Sequence, residues 1–145
     1  MAIDTLKVAR RLRDAGFSET QAEAVVVAVQ EGAEGVGSNL FIVRDGVVLT
    51  PHERWVLPGV SRAMAIELCG KLGIPCREAD LDLYDASTAD EAFMTSTSLC
   101  LCPVRSIGGR ALPIPLPGPI TRRLSEAYAR EVDCDFIAQY LAHLA

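Results

Sequence analysis

Residues 57–65 read Leu57-Pro58-Gly59-Val60-Ser61-Arg62-Ala63-Met64-Ala65, a loop that turns into a helix. Leu57 and Pro58 close the loop, and Gly59 gives the backbone room to turn. Val60 and Ser61 open the helix, and Met64, Leu68 and Leu72 recur at a spacing that predicts its buried side. A helix start leaves N–H groups without intrahelical partners, at the positive end of the dipole. With little bulk at Gly59 and a hydroxyl at Ser61, these residues make a seat for a phosphate. An ordinary N-capped helix is the competing reading, and the flanking sequence decides between the two.

Upstream, Asn39–Arg44 (NLFIVR) predicts a short strand, Asp45-Gly46 a hairpin turn, and Val47–Thr50 the return strand ended by Pro51. Downstream, Gly73 ends the helix and Ile74–Ala79 leads into another strand. Asp85–Glu91 is read as a short turn of helix. Ala92–Thr97 and Leu99–Ile107 are read as strands separated by a Ser/Thr loop, and Gly108-Gly109 as a second hairpin turn. Prolines at 113, 115, 117 and 119 make Leu112–Pro119 an extended surface loop, with Pro119 suited to the first turn of the next helix. That helix turns Ile120, Leu124, Ala127 and Tyr128 inward. Phe136, Ile137, Tyr140, Leu141 and Leu144 predict a last short amphipathic helix. The fold class is α/β, in a mixed α+β arrangement.

At 145 residues, half of them hydrophobic, the chain suits one domain with a small appendage. A formal charge of −5 with dispersed basic residues argues against a nucleic-acid surface. No apolar run is long enough to span a membrane, and Met1–Gly16 is charged and amphipathic rather than a signal peptide, so a cytoplasmic protein is expected. The five cysteines are odd in number and scattered, unlike a disulfide framework. Cys100 and Cys102, two apart in a strand-like run, are expected on one sheet face. Without a CxxC pair or a nearby His they do not spell a zinc site, and no metal is expected.

Residues 1–32 are expected to form a separate amphipathic helical hairpin. Asp4 caps a first helix, Gly16 ends it, and Ser18 with Gln21 forms a capping box for a second. The stretch DTLKVARRLRDAGFSETQAEAV resembles the opening of a coiled-coil family related to the mitochondrial calcium uniporter regulator, which implies helix pairing or oligomerisation. The glycines at 32, 35 and 37 then mark the boundary of a second unit, residues 33–145.

Three features of that unit follow in order: Glu34 before a strand, LPGVSRA at a helix start, and FMTSTSLCLCPV at a strand junction. Together, the segments EGVGSNLFIVRDGVVLTP, LPGVSRA, ADEAFMTST, PVRSIGGR and PGPITRRL resemble the class IV, fold-type-IV pyridoxal-phosphate aminotransferases, over residues 34–132. That family includes the branched-chain and D-amino-acid aminotransferases. The resemblance implies a large cofactor-binding domain that holds pyridoxal 5'-phosphate. Glu34 would face the pyridine nitrogen and keep it protonated, so that the ring absorbs electrons from the substrate. Val60 and Ser61 would hold the phosphate through backbone N–H groups and the Ser61 hydroxyl, with Ser96 and Thr97 adding contacts. The backbone at Thr97 and Ser98 would lie by the substrate carboxylate. Arg62, Arg105 and Arg122 are read as structural ion-pair partners.

The chain departs from the family in several ways, and Leu99–Cys102 replaces a stretch that often carries an acidic residue. Ser96 and Ser98 stand where many branched-chain members have smaller residues. The larger departure concerns the lysine that anchors the cofactor, which in the family lies well upstream of the glutamate. The two lysines here are Lys7, outside any matching motif, and Lys71, toward the far end of the helix at roughly 15 Å from Ser61. The expectation is therefore a truncated large domain behind a helical hairpin, with no catalytic lysine and no transamination by this chain alone. By resemblance its small-molecule partners are an amino acid and a 2-oxo acid, and it works as a homo-oligomer or with a partner chain. Two other readings are a non-catalytic phosphate-binding or helix-pairing module, and a gene fragment or fusion product.

Overall fold

The structure, a computed structural model, describes residues 37–144. The predicted hairpin of residues 4–31, and with it Lys7 and Glu34, lie outside the described residues. Strand β1 (Ser38–Arg44) turns at Asp45-Gly46 into β2 (Val47–Pro51). Asp45 and Gly46 both have positive φ, 50° and 76°. This is the two-residue turn whose twist matches paired strands. A short 3-10 turn (Glu53–Trp55) leads to helix α1 (Val60–Lys71) and then β3 (Cys76–Ala79). Helix α2 (Leu83–Ser87), β4 (Glu91–Ser96) and β5 (Cys100–Val104) follow. A small hairpin of β6 (Ser106–Ile107) and β7 (Arg110–Ala111) precedes α3 (Pro119–Glu131) and α4 (Phe136–Leu144).

The main sheet has the order β3-β2-β1-β4-β5. All its pairings are antiparallel except β2 with β3, which α1 joins as a crossover. Both faces are covered, so the central strand is apolar on both sides. Leu40 and Ile42 point to a core shared with Met94, Val104, Ala86 of α2 and Ile107 of β6. Phe41 and Val43 point to the other core, under α1 and α3, with Leu68, Leu101, Leu124 and Tyr128. Phe41 and Phe93, opposite one another across the β1–β4 ladder, stack with ring centroids 4.8 Å apart. No helix among the described residues is long and apolar enough to cross a membrane.

Some sequence expectations shift. In α1 the buried stripe is Ser61, Arg62, Ala65, Leu68 and Cys69, with Met64 and Leu72 at its margins. The small side chain of Ala65 lies against the sheet, and the larger Met64 and Leu72 flank that line. Gly73, at φ 66°, ends the helix as predicted: Gly73 N–H donates to Gly70 O (3.2 Å) and Ile74 N–H to Cys69 O (2.9 Å). The short helix begins earlier than Asp85, because Asp82 and Asp85 form a reciprocal capping box, and Glu91 belongs to β4. Leu99–Ile107 is two strands in two sheets. Cys100 and Cys102 lie on opposite faces, since Cys100 has φ 54° and the left-handed residue breaks the alternation.

Candidate functional site

Helix α1 starts without a side-chain cap: Gly59 is its N-cap, with φ −67° and ψ 137°. The first intrahelical bond runs from Ala63 N–H to Gly59 O (3.0 Å), so the N–H groups of Val60, Ser61 and Arg62 have no acceptor within the helix. Val60 is 83% exposed. Any residue could adopt the Gly59 backbone, so the need for glycine is one of contact. A Cβ there would overlap Asn39 Oδ1. Asn39 is buried and cannot swing away freely, because its Nδ2 donates to Leu57 O at 2.9 Å.

Three hydroxyl groups fix the helix start against the end of β4. Ser61, 8% exposed, donates through Oγ to Ser96 O at 3.1 Å and accepts from Tyr128 Oη of α3 at 3.2 Å. Ser96 Oγ accepts from Leu99 N–H (3.0 Å), which closes the turn carrying Thr97 and Ser98, both exposed. The structure thus brings Ser61, Ser96 and the 97–98 turn together beside the uncapped end of α1. The Ser61 proton is directed to the Ser96 carbonyl, so this hydroxyl braces the seat and the backbone N–H groups face its opening. Loss of the Tyr128 hydroxyl in Tyr128→Phe is expected to destabilise the fold by about 1 kcal/mol, read by urea unfolding. An unchanged midpoint would refute the brace.

Arg62 plays the structural part expected of it. It is 5% exposed and donates from Nη2 to Pro51 O (3.0 Å) and Glu78 Oε1 (2.6 Å). The Glu78 carboxyl is held below the usual carboxylate range, first by Arg62 and then by the Glu53 N–H. Lys71 sits at the opposite end of α1, paired with Glu67 (3.0 Å) and Glu131 (2.9 Å). Hydrogen bonds to Glu131 and then Glu67 raise its pKa.

Sequence reasoning missed three residues that build the site: Asn39, Tyr128 in its hydrogen-bonding role, and Glu91. Buried Glu91 accepts from Ile120 N–H (3.1 Å) and Thr121 N–H (2.9 Å), and so caps α3, which carries Tyr128. Each left a signal, a polar or charged residue set within or beside an apolar stretch. A groove of about 560 Å³ lined by Thr50, Arg62, Ile66, Cys76 and Glu78 opens beside the Arg62–Glu78 pair.

The described residues form a mixed α/β unit in which an uncapped, glycine-led helix start lies beside a Ser/Thr turn. The chain belongs to the amino-transferase class IV family, whose model matches residues 4–107. That match begins well upstream of Glu34. The chain is 38% identical over 127 residues to the branched-chain-amino-acid aminotransferase of Escherichia coli (strain K12), covering 87% of this chain and 40% of that protein. The T.th. branched-chain amino acid aminotransferase, solved with pyridoxamine 5'-phosphate, aligns with TM-score 0.66 and 29% identity over 77% of this chain and 42% of that one. The branched-chain aminotransferase of Thermoproteus uzoniensis, solved with norvaline, aligns with TM-score 0.64 and 34% identity over 77% and 42%. The chain therefore spans less than half the length of these relatives.

Proposed function

We propose that this chain supplies the phosphate-holding part of a pyridoxal-phosphate-dependent aminotransferase that moves the amino group of a branched-chain amino acid to a 2-oxo acid. The observation that carries this reading is the uncapped start of α1, braced by Asn39, Ser61 and Tyr128 against the Ser96–Ser98 turn. The cradle fits a phosphate: the N–H groups at a helix start suit a dianion, and Gly59, whose Cβ would overlap Asn39 Oδ1, lets the loop that leads into them pack close to β1. Val60, Ser61 and Arg62 would hold the phosphate by their N–H groups, while the exposed Thr97 hydroxyl closes the seat from the β4 side. Ser96 holds the turn, and the Thr97–Ser98 backbone would meet a substrate carboxylate. When bound, the cofactor supplies an electron sink for cleavage at the substrate α-carbon. Glu34 is the residue assigned to its pyridine nitrogen.

The pairing of Lys71 with two glutamates favours a division of labour. The described residues bind and orient, and the reacting amine is not Lys71. Trp55, Leu57 and Val60 stay exposed around the seat. This apolar rim suits cover by a second copy or a partner chain.

The test is to add pyridoxal 5'-phosphate to the chain, reduce with borohydride and map the peptides. The expected result is cofactor binding that inorganic phosphate displaces, with no adduct at Lys71. A stoichiometric adduct at Lys71, or binding indifferent to phosphate, would overturn the reading.

A further inference from the structure

Two cysteines outside the phosphate seat are arranged for a chemistry the proposed function does not use. Cys69 lies on the inner side of α1 and is fully buried. Cys76 is the first residue of β3, half-buried, packed against the same core and lining the open groove beside Arg62. The two thiols are neighbours in that core, and each acts on the ionisation of the other.

The turn between the two is fixed at both ends. Ile74 N–H bonds back to Cys69 O (2.9 Å), and Pro75 O accepts from Val48 N–H (2.8 Å). The backbone that joins α1 to β3 is therefore held between the two cysteines.

Their environments differ. The neighbouring Cys69 thiol, and the Arg62 guanidinium after it, hold Cys76 below the ordinary thiol range, against burial and the Glu78 carboxylate. Cys69 is pushed up by Cys76 and by burial. An accessible sulfur with thiolate character next to a buried thiol is the arrangement of an attacking and a resolving cysteine. Of the other cysteines, Cys102 is buried and pushed up to about 12, and Cys100 is raised by burial.

We propose that Cys76 and Cys69 form a reversible disulfide in response to hydrogen peroxide entering the groove beside Arg62. The Cys76 thiolate attacks one peroxide oxygen, the O–O bond breaks, and hydroxide leaves with a proton as water. The resulting sulfenic acid is attacked by the Cys69 sulfur. An S–S bond forms, the S–O bond breaks, and the departing hydroxide takes the Cys69 proton as a second water. The two thiols lose two electrons and the peroxide gains them. A dithiol reductant reverses the bond by exchange.

Trypsin cuts after Arg62, Lys71 and Arg77, so Cys69 and Cys76 fall in separate peptides, 63–71 and 72–77. The folded chain is treated with hydrogen peroxide, then denatured, alkylated and digested. The expected result is that these two peptides stay joined and are freed by dithiothreitol, while the remaining three of the five cysteines are alkylated. In Cys69→Ser the reaction is expected to stop at a Cys76 sulfenic acid, which dimedone traps. In Cys76→Ser, a substitution at a half-buried position, Cys69 is expected to resist peroxide while the circular dichroism spectrum is retained. Free alkylation of both cysteines after peroxide, or a disulfide joining any other pair, would overturn the proposal. The wild-type peptide map decides even if Cys69→Ser fails to fold.

Discussion

Glu91→Ala is expected to lower the stability of the fold by about 2–4 kcal/mol, among the largest effects of any single polar substitution among the described residues. The carboxylate is buried, and its two oxygens accept from Ile120 and Thr121 N–H at 3.1 and 2.9 Å. Helix α3 has no cap of its own: Gly118 is the N-cap without a side chain, and Pro119 brings no N–H. Glu91 supplies that cap from β4, with the helix dipole adding to both bonds. Truncation leaves two donors unpaired, next to the space the side chain filled. The closeness is such that a Cβ on Gly118 would overlap the Glu91 carboxylate. Urea unfolding should show a lower midpoint at an unchanged slope. A loss under about 0.5 kcal/mol would mean that Glu91 does not hold α3 in place.

Gly59→Ala is expected to weaken binding of pyridoxal 5'-phosphate at least about ten-fold, equivalent to about 1.4 kcal/mol. The backbone tolerates alanine, at φ −67° and ψ 137°. The added methyl has nowhere to go, because Asn39 Oδ1 occupies its space and Asn39 Nδ2 is bound to Leu57 O. Either that hydrogen bond breaks or the loop carrying the first N–H groups of α1 backs away, and both spoil the convergence of donors on a phosphate. Folding stability should fall by only about 1–2 kcal/mol, since the strained contact is local. Titration of both chains, with inorganic phosphate as competitor, measures the ratio. Equal affinities would remove Gly59 and its helix start from the cofactor site.

Much of the architecture could be read from the residues. Asp45-Gly46 can adopt the paired positive φ angles of a hairpin, Gly73 the left-handed stop of α1, and Pro119 the first turn of α3, because each carries its own backbone preference. The seat was legible in outline for the same reason: LPGVS marks a helix start, and a run of hydroxyl residues marks a turn. The docking of one element on another was not legible. Glu91 caps a helix 29 residues away and Tyr128 reaches Ser61 across 67 residues. No local propensity encodes such bonds. Cys100 defeated the period-two reading of β5 because its left-handed backbone arises from the tight 97–99 turn. Sequence shows a non-glycine residue in that state only as an apparently regular strand.

The central place of β1 has a consequence for how the seat moves. Phe41, Ile42 and Val43 have ladder partners on β4 and packing on both faces, so their amides should exchange with solvent only when the whole domain opens. The Ser38–Ser96 rung ends that ladder, and rungs at an end fray. The two halves of the seat meet there, held by the Asn39–Leu57 and Ser61–Ser96 bonds. An anion bound between them would oppose the fraying. Its arrival should appear first as slower deuterium uptake at this edge of the sheet, while the middle of β1 is unchanged.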